Sequence, residues 1–334
     1  MFIESHFAPG QDHSADFAVL RAGLRDATGV SLAARLKTLR PDYARVWRDI
    51  ALGYVALAGT AALTVVLARQ GIGLQALAVA LGAAGFGFWI AYVQLFIHEG
   101  AHANLAARRA TSDLLCDLFV GWLIGSSVRK YRKVHFEHHR AFGTVNDVEN
   151  TYFRALDAGF IVKALTGWRV VEVLMARARL TAPKDSVAQD TGVLRDRLVL
   201  LGGVMAHGAI VAMLFLAGGW AAALAWVAGT AVVFPFFGAL RQLLEHRSAR
   251  ASAAIDYART DHGAYTRMFG TGPFARVFGA AGFNRHLLHH WEPQVSYTNF
   301  DALEAILVET GLGPVIDSRR TTYAAAFRAL YNRK

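Results

Sequence analysis

Two long stretches of this chain carry almost no charge, and they limit the folds open to it more than any other feature. Between Ile50 and Ile97 the only charged residue is Arg69, and between Leu198 and Leu240 there is none. A helix needs about 20 apolar residues to cross the hydrocarbon core of a bilayer, so each stretch has room for two crossings. With 54% hydrophobic residues, the chain is also too apolar for an ordinary soluble globule. We therefore expect an integral membrane protein.

Glycines indicate where each apolar stretch turns back. Residues 69–71, which end in glycine, divide the first stretch, and Gly218 and Gly219 divide the second. The predicted fold is an all-α integral membrane protein with four transmembrane helices arranged as two hairpins. The first hairpin is expected over about 50–68 and 72–97. A cytoplasmic helical cap is expected to hold the polar segments between and after the hairpins.

The basic residues predict the orientation in the membrane. Of the 35 lysines and arginines, only Arg69 falls in either hairpin turn. The positive-inside tendency then places the cap and both termini on the cytoplasmic side, where the net charge of +10 forms one basic face. Such a face favours anionic lipid head groups and also suits an acidic partner protein. The basic run at 129–133 is short and juxtamembrane, so we expect it to contact lipid phosphate and expect no nucleic acid partner.

The polar segments suggest three regions along the chain. Residues 1–49 are expected to form a cytoplasmic N-terminal arm, 50–300 a membrane-embedded domain, and 301–334 a C-terminal surface helix or tail. The first region is mixed and charged, and it lacks the apolar segment of a secretory signal. Cys116 is the only cysteine, which excludes internal disulfides and thiolate metal sites.

Histidines are concentrated in the segments beyond the apolar stretches. Residues three and four apart on a helix share a face, so each histidine cluster can point its imidazoles in one direction. Neutral imidazole is a common ligand of iron, zinc, copper and nickel. Nine of the thirteen histidines lie in three clusters and at one further position: His98, His102, His135, His138, His139, His246, His286, His289 and His290.

The predicted topology brings these nine histidines to one side of the membrane, because each cluster follows an even number of crossings. One metal ion accepts only about six ligands, so nine suit two ions better than one. The sequence therefore predicts a dinuclear metal centre at the cytoplasmic face.

The spacing of the clusters resembles that of the membrane fatty acid desaturase superfamily, the histidine-box di-iron desaturases and hydroxylases. The matching motifs are His-x3-His at 98–102 and His-x2-His-His at 135–139 and 286–290. His246 matches the additional ligand that this family places before its third box. The resemblance covers about residues 45–300.

A further similarity follows the second box. The segment that begins at Gly143 and continues through Asp147 to Glu149 is similar to the Gly-x3-Asp-x-Asp of several family members, with Glu149 in place of the last aspartate. Carboxylates near the boxes are candidates to accept the free ring N–H of a ligating histidine and so fix its tautomer. These candidates are Glu99, Glu137, Asp147, Glu149 and Glu245.

The resemblance implies two non-haem iron ions, held by the nine histidines, with O2 as co-substrate. The implied reaction introduces a double bond into a fatty-acyl or similar lipid chain that enters from the bilayer. Two electrons must be supplied, and the sequence shows no cytochrome domain, cysteine-rich iron–sulfur motif or dinucleotide loop. A separate ferredoxin or cytochrome-type donor is therefore the expected partner.

The residues leave three other functions open. A di-iron hydroxylase or ketolase acting on a lipid or isoprenoid would use the same ligands. A membrane zinc protease would use His98, Glu99 and His102 as a His-Glu-x2-His motif with Glu99 as general base, but that leaves the other clusters unexplained. A metal carrier or sensor would bind metal without consuming O2.

Overall fold

The computed structural model describes residues 14–172, 175, 192–249, 251–252, 255, 257, 259–261 and 265–331. Regular structure in this part of the chain is helical, and no β-sheet forms there, so the all-α prediction is confirmed for it. Residues 1–13 of the expected arm lie outside it. The α-helices of the described part include α1 (Ser14–Leu20), α2 (Leu32–Leu36), α3 (Tyr43–Ala68), α4 (Ile72–Gln94), α5 (Phe96–Ala101), α6 (Arg109–Phe119), α7 (Val128–Ala141), α8 (Ala158–Leu165), α9 (Val193–Ala228), α10 (Phe234–His246), α11 (Pro273–Phe278), α12 (His286–Trp291), α13 (Phe300–Leu307), α14 (Gly313–Ser318) and α15 (Tyr323–Leu330).

Within the described residues, three helical stretches are long and apolar enough to cross a membrane: Tyr43–Ala68, Ile72–Ala101 and Val193–His246. The first begins at Tyr43 rather than near the expected Ile50. The side chain of Asp42 accepts a hydrogen bond from the backbone N–H of Arg45 and so starts the helix within the polar segment. The apolar pattern predicts which part of this helix is suited to lipid, but it does not predict where the helix begins.

The third stretch is interrupted at Gly219, whose φ of 70° and ψ of −165° are not helical. Only glycine adopts such angles readily. The indole N–H of Trp226 donates to Nδ1 of His207 over 3.2 Å. In a continuous helix these two residues would lie about 28 Å apart along the axis. The chain therefore folds back at Gly218 and Gly219, where the sequence predicted a turn.

Helix α4 is the central element of the apolar bundle. In the most apolar 18 residues of the Ile72–Ala101 stretch, about half of the residues are buried. The corresponding share is 22% in α3 and 17% in the third stretch. At Gly82 an added Cβ would lie 2.9 Å from the Cβ of Ala225, and at Gly87 it would lie 2.5 Å from the Cβ of Val233. These glycines let α4 approach both the end of α9 and the segment that follows it.

Four short helical segments beyond the bundle carry the histidine clusters: α5, α7, the end of α10, and α12. The C-terminal segment packs beside them, since α13 buries Leu303 and α14 buries Ile316 completely. The N-terminal arm also reaches this region, where α1 packs against α12. The expected domain boundaries at residues 49 and 300 stay predictions.

Candidate metal centre

The nine clustered histidines converge in two neighbouring groups. In the larger group, here called site A, one ring nitrogen of each member lies within 4.8 Å of those of all the others. Contacts between Nε2 atoms run through the group, for example 2.8 Å from His98 to His289 and 3.0 Å from His102 to His135. Site A consists of His98, His102, His135, His139 and His289.

The remaining four histidines form the second group, here called site B. Ring nitrogens of His138, His246 and His290 lie within 4.8 Å of one another. Nε2 of His286 lies 2.8 Å from that of His246 and 3.1 Å from that of His290. Five imidazoles thus face one point and four face another.

Helices α7 and α12 each contribute to both sites. From α7, His135 and His139 point into site A while His138 points into site B. From α12, His289 points into site A, whereas His286 and His290 belong to site B. In each His-x2-His-His motif, the first and last histidines therefore share one site, and the middle histidine serves the other.

Burial favours the neutral form of five of these rings. It lowers the pKa of His102 to about 3. Burial likewise holds the pKa values of His135, His139, His289 and His290 well below the ordinary range. A neutral imidazole keeps a lone pair on one ring nitrogen, and a metal ion requires that lone pair.

The hydrogen bonds of site B fix where the ring protons lie. Nδ1 of His138 is 2.9 Å from both carboxylate oxygens of Asp147, and Nδ1 of His246 is 3.1 Å from the carbonyl oxygen of Gln242. These partners only accept, so neutral rings hold their protons on Nδ1 and leave lone pairs on Nε2. The two Nε2 atoms face each other at 3.2 Å. Lone pairs at this distance repel unless a cation lies between them, so the donor set fits a metal ion.

Asp147 is the best supported of the candidate carboxylates. Its carboxylate is buried, and besides His138 it accepts hydrogen bonds from the hydroxyl of Tyr152 and from the backbone N–H of Glu149 at 2.8 Å. Glu149 in turn accepts from the side-chain amide of Gln242 at 3.0 Å. The Gly143–Glu149 loop therefore supports the wall of site B.

The other candidates have different partners. Glu99 is buried and accepts a hydrogen bond from the hydroxyl of Ser296 at 2.8 Å, and it belongs to neither histidine group in the described part of the chain. A carboxylate oxygen of Glu245 lies within 4.8 Å of ring nitrogens of both His246 and His286. Its Oε1 is also 3.3 Å from Nε of Arg241.

Glu137 lies farther out. It is paired with Arg140 on the exposed side of α7. Metal binding by the nine histidines stays a prediction, and so does the support of these histidines by the carboxylates. The geometry establishes that the histidines come together.

Two residues contact the histidines or their partners but were not predicted as site residues from the sequence. Tyr152, in a helical turn after the Gly143–Glu149 loop, donates to Asp147 and stacks on His246 with ring centroids 5.2 Å apart. Phe283 stacks on His286 at 5.0 Å and lies 4.7 Å from His98. An aromatic residue a few positions from a motif is too common a feature to have indicated either role.

The comparisons with known proteins agree with this geometry. The family model described as Fatty acid desaturase matches residues 72–315, well over half of the chain. The match includes all nine clustered histidines and confirms the resemblance drawn from their spacing. The comparison with curated proteins found no match.

Proposed function

The chain belongs to the fatty acid desaturase family, and from this premise we propose that it is an O2-dependent non-haem di-iron oxidoreductase. Its proposed reaction introduces a double bond into a fatty-acyl or similar lipid chain. The observation that carries the proposal is the convergence of nine imidazoles in adjacent groups of five and four. Two neighbouring metal positions are what a two-metal oxidation centre requires.

The proposed ligands are the histidines of site A for one iron and those of site B for the other. When bound, the irons supply the activation of O2 that breaking an unactivated C–H bond demands. The carboxylate of Asp147 accepts the Nδ1–H of His138, and the carbonyl oxygen of Gln242 accepts that of His246. Nε2 of each ring is thus directed at the metal position.

The contacts of Glu99 do not favour the zinc protease alternative. A protease with a His-Glu-x2-His motif needs the glutamate beside the metal as a general base. Here Glu99 is hydrogen-bonded to Ser296, and His98 and His102 share site A with three further histidines. An oxidoreductase accounts for all nine histidines.

We further propose four membrane crossings, with the metal centre and both termini in the cytoplasm. The reversal at Gly219 supports two crossings within the Val193–His246 stretch. The presence of Arg69 as the only basic residue in either hairpin turn supports the orientation. On the cytoplasmic side the basic face is available to anionic lipid head groups and to an acidic ferredoxin or cytochrome-type electron donor.

The proposal is tested by metal analysis together with product analysis. The purified protein should contain two irons per chain. With a lipid extract, a reducing system and ¹⁸O2, it should form a double bond in a lipid chain without incorporating label. Labelled alcohol or ketone would instead identify a hydroxylase or ketolase. Zinc in place of iron, or no O2 consumption, would contradict the proposed function.

Single substitutions make the same test specific to the centre. His139→Ala and His289→Ala should reduce product formation below detection, because each removes a proposed ligand of site A. The control is His262→Ala, which changes a histidine that belongs to no cluster and lies outside the described residues. It should leave activity within about twofold of the parent, as most substitutions away from a site do. Activity retained in both ligand variants would exclude these residues as ligands.

A further inference from the structure

The N-terminal arm contacts the two residues that follow the third histidine cluster, although more than 250 residues separate them. The ring of Phe17 stacks on the indole of Trp291, with centroids 4.7 Å apart and an interplanar angle of 4°. The guanidinium of Arg21 donates from Nε to Oε1 of Glu292 over 2.5 Å and from Nη2 to Oε2 over 2.9 Å. Trp291 and Glu292 are the two residues that follow His290.

The helix that carries this cluster cannot hold its own position. Helix α12 spans only the six residues His286–Trp291, and the backbone leaves helical geometry at Glu292. Isolated helices are marginal in water below about 12 residues, so a single-turn segment depends on its packing. The directions of His289 and His290 therefore depend on the packing of α12, which includes the buried Leu287 and Leu288 and the contacts at the end of the helix.

The arm provides two different anchors at that end. Phe17 is 1% exposed and Trp291 3%, so the stack is closed to solvent. The ion pair is partly buried, because it joins the buried Glu292 to an Arg21 side chain that is 40% exposed. The flat stack restricts the tilt of the indole. The two-point pairing of guanidinium and carboxylate fixes the direction of the Glu292 side chain more firmly than a single hydrogen bond can.

These anchors lie outside the part of the chain that the family accounts for, since the family match begins at residue 72. We propose that Phe17 and Arg21 are positioning residues for the metal centre, acting through Trp291 and Glu292 on His289 and His290. This inference rests on the proposed function, because it assigns the arm a role in holding metal at both sites.

A purely structural role of the arm is the alternative, and the arm contains a matched control. Nη1 of Arg35 pairs with Oδ2 of Asp26 at 2.5 Å, and its Nη2 pairs with Glu309 at 3.1 Å. These partners lie in the arm and in the C-terminal segment, not at the end of α12. Arg35→Ala thus removes an arm ion pair of the same kind without removing an anchor of the third cluster.

The experiment measures iron release from the full-length, iron-loaded protein to an excess of chelator. Phe17→Ala and Arg21→Ala should each speed release at least about tenfold, comparable to the loss of metal affinity when a partner of a ligating histidine is removed. Their Mössbauer spectra should also change. Arg35→Ala should release iron within about twofold of the parent and keep the parental spectrum. Arg21→Lys, which keeps the charge but loses the two-point pairing, should fall between parent and Arg21→Ala.

The outcomes separate this inference from the proposed function. A parent protein that binds no iron overturns both. A parent with two irons, whose release is unchanged in Phe17→Ala and Arg21→Ala, overturns the positioning role alone. Equal acceleration in all three variants, including Arg35→Ala, also overturns it, because the arm would then act only through general stability. If Arg21→Ala does not fold, Arg21→Lys and the milder Phe17→Leu decide by the same measurements.

Discussion

At the scale of single residues, Asp147 has the most direct influence on the protons of site B. Both of its oxygens lie 2.9 Å from Nδ1 of His138. In Asp147→Asn the amide can also present an N–H to the ring, which favours the wrong tautomer. We expect iron affinity at site B to fall about 10- to 100-fold, measured as the stoichiometry and midpoint of iron titrations.

The control for this substitution is Asp157→Asn. The side chain of Asp157 caps α8 by accepting from the backbone N–H of Phe160 at 2.7 Å, and asparagine caps helices about as well. Iron binding should stay at the parental level in this variant. Parental iron affinity in Asp147→Asn as well would show that the carboxylate does not set the tautomer of His138.

Some of these residues could be predicted from the sequence and others could not. Asp147 lies at a fixed distance from the second cluster, so a motif was enough to suggest it. Arg132 belongs to the basic run that was expected to contact lipid, yet it is buried and donates to the carbonyl oxygens of Gly100 and Ala101 at 2.9 and 2.6 Å. Composition indicates a charge, but the partner of that charge depends on how distant segments fold together.

At the scale of elements, the spacing of the histidines predicted convergence around two ions but not which histidines belong to each site. Residues three and four apart share one face of α7, as expected, but that face lies between site A and site B. His138 therefore diverges from His135 and His139 by only part of a turn. The division depends on where α12 and α10 approach α7, and local periodicity contains no information about that.

Close helix contact gives a prediction at this scale. In Gly87→Ala the added methyl would lie 2.5 Å from the Cβ of Val233 and 2.8 Å from the backbone nitrogen of Phe234. Backbone cannot move aside cheaply, so we expect a loss of about 1–3 kcal/mol in the free energy of unfolding, followed by thermal denaturation in detergent. Gly238→Ala in α10, where no atom lies within 4 Å of an added Cβ, should be neutral or slightly stabilising.

A Gly87→Ala variant as stable as Gly238→Ala would show that α4 and α10 are free to separate at this point. Because α10 carries His246, the same separation would be expected to disturb site B. Iron binding measured on the two glycine variants therefore reports whether packing within the bundle is transmitted to the metal centre.

At the scale of the whole molecule, the cap depends on segments from both ends of the chain. Ser296 binds Glu99 next to the first cluster, and the hydroxyl of Tyr297 donates to Asp49 at the start of the bundle over 2.9 Å. With Arg21 on Glu292, the segment after the third cluster is held by three distant parts of the sequence. The cap depends on contacts between residues far apart in the sequence, whereas the bundle follows from local apolar stretches. The sequence therefore predicted the helices of the bundle better than the packing of the cap.

The number of crossings can be tested on the whole protein with one cysteine in the first hairpin turn and one two residues before Gly218. The only native cysteine, Cys116, is buried and can be replaced by alanine. In that background Arg69→Cys and Leu216→Cys, the latter at a position 85% exposed, should react with a membrane-impermeant thiol reagent added to intact cells. Arg328→Cys in α15 should react only after the cells are opened.

The pattern of labelling separates the possible topologies. A Val193–His246 stretch that crossed the bilayer once would place residue 216 among lipid tails, where a charged reagent cannot reach it from either side. Labelling of 69 but not 216 would therefore contradict the second hairpin. Labelling of 328 but neither turn in intact cells would reverse the orientation and place all nine histidines outside. Labelling of both turns from outside, with 328 protected, leaves an even number of crossings before every cluster, so a single cytoplasmic face has to hold both sites.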